Sequence, residues 1–220
     1  MKIAVLSALY GSYDNPAPPP PQDTEAEWIM VSDRDYDCPP WRTVVEPRLL
    51  AQPRLAAKVP KARPDLYADA DVYIWIDANM RICAPDFVAW CVDVLGDAAL
   101  GLTPQPQAAT MAGELALAYP QPRYARLPLP AQVDHYLAQG FPDGWGNWWT
   151  GLIIRRATCP EFGDSWLREM LRWSHQDQIA LPYVLHQMGL QPKNIPQGWF
   201  GRFGWSEHHG EPEWDWQDSR

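Results

Sequence analysis

A carboxylate and an amide that follow an apolar run are the first residues of this chain whose types and spacing could do chemistry. Val72–Ile76 is a run of β-branched and aromatic residues, and Asp77 and Asn79 come directly after it. Such a run predicts a strand buried on both faces that delivers its next side chain to the crevice of an open α/β sheet. Carboxylate and amide oxygens suit Mg²⁺ or Mn²⁺, so the pair predicts a metal site. The alternative is that Asp77 caps the next turn and Asn79 is a turn residue.

Two further pairs of side chains have the chemistry of a nucleotide-binding site. Tyr10 and Tyr13 lie in the Gly-containing turn after the first apolar run, where nucleotide-binding α/β folds hold their ligand. Their rings could stack on a base, or they could cover the edge of the sheet. Arg54 and Lys58 stand four residues apart, so on a helix they share a face and could grip a diphosphate. The alternative is an exposed basic pair with no ligand.

The elements that must position these residues follow from apolar runs and breakers. Short apolar runs bounded by turn residues predict strands, and apolar residues at helical spacing predict helices. The predicted strands are Ile3–Leu9, Glu27–Ser32, Val72–Ile76 and residues 99–103 and 151–155. The predicted helices are residues 49–58, 85–95, 110–118, 131–139 and 159–173 and Asp177–Gln187, with a loop at 141–150. Pro60 is expected to limit any helix around it, and the lone His135, His175 and His186 are expected to be ordinary helix residues.

The composition favours one domain with an aromatic C-terminal third. The 220 residues suffice for a single core, and we predict one domain over residues 1–220. The chain contains 24 Pro and 13 Trp, and nine of the Trp residues lie at or after Trp145. The prolines predict many irregular connections. The aromatic tail is expected to pack back onto the domain, because so many rings are rarely left in solvent.

Charge and cysteine usage argue against some classes of partner and metal site. The net charge of −9 argues against a nucleic-acid partner, although a local basic groove would still permit one. The four cysteines are scattered and form no CxxC pair, so neither zinc nor a disulfide framework is predicted. We find no signal segment and no run long enough to span a membrane, so a cytoplasmic protein is expected.

Several motifs occur together, and in order, in a known family. They are Tyr10-Gly11-x-Tyr13-Asp14, Ser32-Asp33, Lys58-x-Pro60, Ile74-Trp75-Ile76-Asp77-Ala78-Asn79, Tyr136-x-x-x-Gly140-Phe141-Pro142, Gly151-Leu152-Ile153-Ile154-Arg155 and Asp177-Gln178. With them the chain resembles the glycosyltransferase-like family of plants and bacteria long described as a domain of unknown function, whose plant members are linked to mucilage and pectin synthesis. The resemblance extends from about residue 3 to about residue 185. The usual family pattern is Trp-Ile-Asp-Gly-Asn, so Ala78 is a departure.

That family looks like a branch of the GT-A fold, and its motifs are similar to those of the family-eight retaining transferases. Asp77-Ala78-Asn79, Thr150-Gly151 and Asp177-Gln178 stand where those enzymes have Asp-x-Asp, Ser-Gly and Asp-Gln. Residues 208–214 stand where they have His-x-Gly-x-x-Lys-Pro-Trp, with Glu213 in place of the lysine. The resemblance implies a single GT-A-like, Rossmann-like α/β domain with a mixed, mostly parallel central sheet flanked by helices. Residues 1–82 would bind the nucleotide, and residues 83–220 would bind the acceptor.

The resemblance also implies a function and a role for each candidate residue. The chain would be a metal-dependent glycosyltransferase that moves a sugar from a nucleotide-sugar, by analogy a UDP-sugar, to a carbohydrate or other hydroxyl acceptor. Mn²⁺ or Mg²⁺ would be bound by Asp77, Asn79 and His208 or His209. The donor would contact Tyr10, Tyr13, Asp33, Arg54, Lys58, Asp77 and Gln178. Trp145, Trp148 and Trp149 would form an acceptor platform. Asp177 would be catalytic, as the general base of an inverting reaction or as the group that orients the donor sugar in a retaining one.

Two other functions stay open on the sequence. One is a carbohydrate- or nucleotide-binding module without catalysis, which the departures at Asn79 and Glu213 favour. The other is a phage-type transferase that glycosylates modified bases in DNA. The small size permits the second, whereas the net charge of −9 opposes it.

Overall fold

A seven-stranded sheet forms the centre of the computed structural model, which describes residues 1–11, 14–47, 50, 52–196 and 201–205. Its strands are β1 (Ile3–Leu9), β2 (Glu27–Ser32), β3 (Arg42–Val45), β4 (Val72–Ile76), β6 (Leu100–Pro104), β7 (Trp148–Arg156) and β8 (Lys193–Asn194). They lie in the order β3-β2-β1-β4-β7-β6-β8. A second sheet pairs β5 (Met80–Ile82) with β9 (Phe203–Trp205).

Strand direction determines which edge of the large sheet can hold a site. The β1–β2, β2–β3, β1–β4 and β6–β8 pairs are parallel, whereas β7 runs antiparallel to both of its neighbours. The predicted mixed, mostly parallel sheet is therefore confirmed. The carboxyl ends of β1, β2 and β4 meet at one edge, and antiparallel β7 begins there. The backbone N–H of Asp77 donates to the carbonyl of Gly151 at 3.0 Å, which joins the end of β4 to the start of β7.

Helices cover both faces of the sheet, as predicted. They are α1 (Pro53–Ala56), α2 (Lys58–Ala62), α3 (Phe87–Leu95), α4 (Met111–Ala118), α5 (Leu129–Ala138), α6 (Pro160–Arg172) and α7 (Asp177–Gln187). Alternate strand residues point to opposite faces, so β1 places Leu6 in one core cluster and Val5 in another. The first cluster contains Trp166 of α6 and Leu181 of α7, and the second contains Phe87 of α3.

Two local predictions, those for residues 148–150 and for His175, were wrong. Residues 148–150 belong to β7 and not to a loop, because Trp148 and Trp149 pair with β6 across a register shift. Pro60 lies in the first turn of α2, where a helix needs no N–H donor, and the helices around it are short, since α1 ends at Ala56 and α2 at Ala62. His175 lies in the turn between α6 and α7 and not in a helix.

The part of the aromatic tail that the structure describes packs back onto the domain. Phe203 is buried and lies 6.3 Å from the ring of Trp149, and β9 pairs with β5 directly after the Asp77 turn. The residues beyond 205 lie outside the described part of the chain. Among the described residues, no helix combines the length and the apolar character that crossing a bilayer requires.

Candidate active site

A cavity of about 340 Å³ lies at the carboxyl-end edge of the sheet. The ends of β1 and β4, the start of β7, the helices α1 and α2 and the start of α7 form its walls. Cavities of this size bind small molecules, and the crevice at the carboxyl ends of parallel strands is where open α/β sheets bind their ligands. Although the chain is acidic, the described wall contains more cations than anions: Arg54, Lys58, Lys61 and Arg123 against Asp14, Asp77 and Asp177. The cavity therefore suits an anionic ligand.

The floor of the cavity is a buried network of ion pairs around Asp177, the first residue of α7. Its Oδ2 lies 2.8 Å from the ammonium of Lys58 and 2.7 Å from that of Lys61. Its Oδ1 accepts a hydrogen bond from the hydroxyl of Thr150 at 3.1 Å. The side chains of Asp177 and Lys61 are 5% and 2% exposed, whereas that of Lys58 is 17% exposed. Of the two lysines that line the cavity, Lys58 thus has the more exposed side chain.

Asp77 connects this floor to the cavity surface. Its Oδ1 accepts hydrogen bonds from the ammonium of Lys61 at 3.1 Å and from the indole N–H of Trp75 at 2.8 Å. The Asp77 side chain is 39% exposed, so the carboxylate faces the cavity while one oxygen is held in place. Asn79 lines the cavity two residues later. The end of β4 therefore does deliver Asp77 and Asn79 to a crevice, as the sequence predicts.

The network shifts the proton affinity of its members. Burial alone would raise the pKa of Asp177, but the ammonium groups of Lys58 and Lys61 hold it well below its usual range. Burial likewise opposes the charge of Lys61, yet Asp177 and Asp77 raise its pKa. Burial lowers the pKa of Lys58 despite Asp177, and the like charge of Lys61 adds to that effect. The lowered pKa keeps Asp177 ionised at neutral pH, and a carboxylate of low proton affinity is a poor general base.

The described residues do not by themselves fit a divalent metal ion. A metal on the free oxygen of Asp77 would face the ammonium of Lys61, which lies 3.1 Å from the other oxygen. Both oxygens of Asp177 already contact lysines or Thr150. In the described ranges, no three His, Cys, Asp or Glu side chains are grouped to hold a metal. The predicted ligands His208 and His209 lie outside the described residues.

Most of the predicted donor-binding residues that the structure describes line the cavity: Tyr10, Arg54, Lys58, Asp77 and Gln178. Tyr10 is buried and anchored, since its hydroxyl donates to Glu46 at 2.6 Å. Asp33 does not line the cavity. Its carboxylate accepts the backbone N–H of Gly11, at 3.1 Å to the nearer oxygen, and so holds the turn after β1. That turn needs a glycine because Gly11 has φ of 76°. The predicted Tyr13 lies outside the described residues.

The three tryptophans predicted as an acceptor platform are divided between different places. Trp149 is half-buried and lines the cavity, where Trp205 packs edge-on against it at a ring distance of 5.5 Å. Trp148 is buried on the other face of the sheet, and its indole N–H donates to Asn194 at 2.9 Å. Trp145 packs against Trp148 at 5.4 Å and does not line the cavity. Trp149 and Trp205 therefore form one aromatic part of the cavity wall, without Trp145 and Trp148.

The sequence did not identify Lys61 and His175 as site residues. Lys61 follows Lys58 by three residues, a spacing that places both on one helix face, but Pro60 between them argued against a helix. His175 had no local signal. It is 4% exposed, lines the cavity and packs against Tyr124 with a ring distance of 5.5 Å, and neither ring nitrogen has a hydrogen-bond partner among the described residues. Asp177 does not cap α7, since Gln176 is the N-cap residue and no side-chain cap hydrogen bond is seen there.

His175 should make the protein less stable in weak acid. Burial, with the nearby Lys58 and Arg54, lowers the pKa of His175 to about 3. An unfolded histidine has a pKa of about 6.5, so between these values the unfolded state binds the extra proton and stability rises with pH. We expect the His175 contribution to lower the free energy of unfolding by about 2 kcal/mol at about pH 5 relative to about pH 7. Urea unfolding of the wild type and of His175→Gln at both pH values measures it.

In His175→Gln, the free energy of unfolding should lose this part of its pH dependence, because glutamine does not titrate. His135→Gln makes the same substitution at a half-buried histidine and should keep it, since His175 remains intact. Equal pH dependence in the wild type and in His175→Gln would contradict a depressed pKa at this position.

The fold, though not the sequence, resembles that of a solved glycosyltransferase. The apo structure of WbbM, a bifunctional glycosyltransferase, matches the chain with a TM-score of 0.55 and 12% sequence identity. The match covers 90% of this chain and 39% of WbbM, so the chain spans about two fifths of that protein. No protein-family model matches the chain, and no curated protein matches it in sequence. At this identity the likeness concerns the fold alone, and the chain has the Rossmann-like α/β fold of a glycosyltransferase.

Proposed function

We propose that the chain is a glycosyltransferase that binds a nucleotide-sugar donor in the cavity at the carboxyl-end edge of the sheet. The observation that carries this proposal is the cavity itself, which lies at the ends of β1 and β4 and is lined by four cationic side chains and three carboxylates in an otherwise acidic protein. A nucleotide diphosphate is an anion of suitable size, and the fold match to a glycosyltransferase makes sugar transfer the reaction class to test. A UDP-sugar is the donor that the sequence resemblance favours.

In the proposed reaction the bond between the anomeric carbon and the β-phosphate oxygen breaks, and its electron pair stays on that oxygen. The acceptor hydroxyl oxygen bonds to the anomeric carbon and releases its proton. The sequence resemblance leaves two roles open for Asp177, a general base or a group that orients the donor sugar. Its lowered pKa supports the orienting role, in which it holds the donor and the lysines and does not remove the acceptor proton. A front-side, retaining route needs no protein base, because the leaving phosphate oxygen can accept the proton.

The other predicted roles are proposals on the same basis. Tyr10 and Gly11 at the end of β1 would contact the nucleoside, and Arg54 would contact the phosphates. Trp149 would meet the acceptor. Mn²⁺ or Mg²⁺ at Asp77 and Asn79 stays a prediction of the sequence resemblance, and no step above depends on it.

The proposal predicts that nucleotide-sugars stabilise the protein and are slowly hydrolysed when no acceptor is present. A ligand at a hundred times its Kd adds about 2.7 kcal/mol to the free energy of unfolding, which a thermal-shift screen of nucleotide-sugars with and without Mn²⁺ detects. Release of the nucleoside diphosphate measures turnover, with water as the acceptor. Asp77→Ala should weaken donor binding, because Asp77 faces the cavity and positions Lys61.

Asp69→Ala is the matched control, since Asp69 is 92% exposed and pairs with Lys2, the residue that precedes β1 at the opposite edge of the sheet. A screen in which nucleotide-sugars bind but are never cleaved, with or without sugar acceptors, would instead identify a binding module. A screen in which no nucleotide-sugar binds would refute the proposal.

A further inference from the structure

We propose that Lys58, supported by Lys61, supplies the positive charge that holds the leaving diphosphate, so that donor binding and transfer need no divalent metal. The inference rests on the proposed function, and it replaces the metal that the sequence resemblance implies with two side chains of the chain itself. Lys61 is a positioning residue in this scheme, whereas Lys58 contacts the ligand.

The first support is the placement of Lys58. Its ammonium is anchored by one oxygen of Asp177 at 2.8 Å, and no other contact of this group is seen in the described part of the chain. An ammonium has three donors, so two remain for phosphate oxygens. The side chain is 17% exposed and lines the cavity, with Arg54 and Arg123 on the same wall.

The second support is the charge balance. Lys58 and Lys61 together carry two positive charges, as one divalent cation does. Asp77 and Asp177 carry two negative charges, as a pair of carboxylate ligands to such a cation would. Lys61 lies between them, 3.1 Å from Asp77 and 2.7 Å from Asp177, where it neutralises the carboxylates that a metal would otherwise need to neutralise. A metal ion added at Asp77 would be repelled by that ammonium.

The third support is that burial disfavours the charged form of Lys58 when no anionic ligand is bound. Burial lowers the pKa of Lys58 although Asp177 is in contact with it, so the charged form is under-stabilised. A phosphate bound beside Lys58 would restore its preference for the charged form. In the reaction, the electron pair from the broken anomeric bond builds charge on the β-phosphate oxygen, and a preorganised ammonium stabilises that charge without needing to move.

The test compares metal-free and metal-loaded protein by calorimetry and by product release. UDP, ADP, GDP and inorganic pyrophosphate are titrated in a chelator and in Mn²⁺, and release of nucleoside diphosphate from nucleotide-sugars is measured in both. We expect one of the nucleotides to bind with the same Kd in both, and turnover to persist in the chelator. Lys58→Met should weaken binding of that nucleotide about tenfold or more, because it removes a charge-assisted hydrogen bond.

Controls separate a lost contact from a lost fold. Binding of the corresponding nucleoside, which has no phosphate, should be unchanged in Lys58→Met, and Lys58→Arg should recover most of the diphosphate affinity. Lys2→Met removes an exposed lysine remote from the cavity and should bind and turn over as the wild type does. If Lys58→Met fails to fold, the comparison of chelator with Mn²⁺ on the wild type still decides the inference.

The failure of this inference differs from the failure of the proposed function. Binding and turnover that require Mn²⁺, and that His208→Ala or His209→Ala abolishes, would leave the proposed function intact and overturn the inference. Lys58→Met with unchanged diphosphate affinity would also overturn it. Absence of any nucleotide binding or nucleotide-sugar cleavage in both conditions would refute the proposed function and the inference together.

Discussion

Asp177→Asn is expected to lower the free energy of unfolding by about 3 to 5 kcal/mol and to abolish turnover. The substitution keeps the shape of the side chain but leaves the ammonium of Lys58 without a carboxylate partner among the described residues, and that of Lys61 with only Asp77. Removing one member of a buried ion pair is costly because the remaining charge stays desolvated. Chemical denaturation measures the stability, and release of nucleoside diphosphate measures the activity.

The loss of stability of Asp177→Asn relative to the wild type should shrink as the pH rises above neutral, because the buried Lys58, which has lost its carboxylate partner, can then release its proton. Asp164→Asn is the matched control. Asp164 lies on α6 with 51% of its side chain exposed, and it pairs with Arg63 at the surface. Surface pairs contribute about 0–1 kcal/mol, so this variant should unfold close to the wild type and retain its activity. Equal stability of the two Asn variants would show that the Asp177 carboxylate does not stabilise the buried ammonium groups of Lys58 and Lys61.

Gly163→Ala is expected to destabilise the protein by about 3 kcal/mol and to disturb the site from a distance. A Cβ at Gly163 would lie 2.1 Å from the carbonyl oxygen of Ala62, so α6 and α2 would have to separate. Because the obstacle is backbone, no side-chain rotation relieves the overlap. Ala62 directly follows Lys61, and a shift of α2 would therefore pull the ammonium of Lys61 away from Asp177.

The matched control for this prediction is Gly144→Ala, since a Cβ at Gly144 would meet no atom within 4 Å. It should change the free energy of unfolding by no more than about 0.5 kcal/mol. Urea denaturation compares both variants, and calorimetry with UDP reports on the site. If Gly163→Ala unfolds as the wild type does, the close packing of α2 against α6 is not what holds Lys61 in position.

The strands and helices that carry the site could be predicted from the sequence because they depend on local patterns. Ile3–Leu9, Glu27–Ser32 and Val72–Ile76 are strands with the predicted bounds, and Asp177–Gln187 is a helix with the predicted bounds. Apolar runs and helical periodicity are properties of neighbouring residues. The sequence could also place Asp77 and Asn79 at the end of a buried strand, since a chain must turn where such a run stops.

The partners of those residues could not be predicted, because they are brought together by packing and not by spacing. Lys58 and Asp177 are 119 residues apart, and only the packing of α2 against β1 and α6, and of α6 against α7, makes them an ion pair. Pro60 argued against a helix at this position, although Lys61 lies on one. The predicted tryptophan platform failed to assemble for a similar reason: once strand pairing extends β7 to Trp148, neighbouring residues must face opposite sides of the sheet.

The sequence by itself therefore determined an α/β chain with a carboxylate and an amide at the end of a buried strand. The tertiary structure alone decided what that carboxylate faces. It places the ammonium of a buried lysine against Asp77, and a second lysine against Asp177, where the sequence had suggested a metal ion. The physical reason is that the charge around a carboxylate is the sum of contributions from distant segments, which the fold brings within a few ångströms and removes from water.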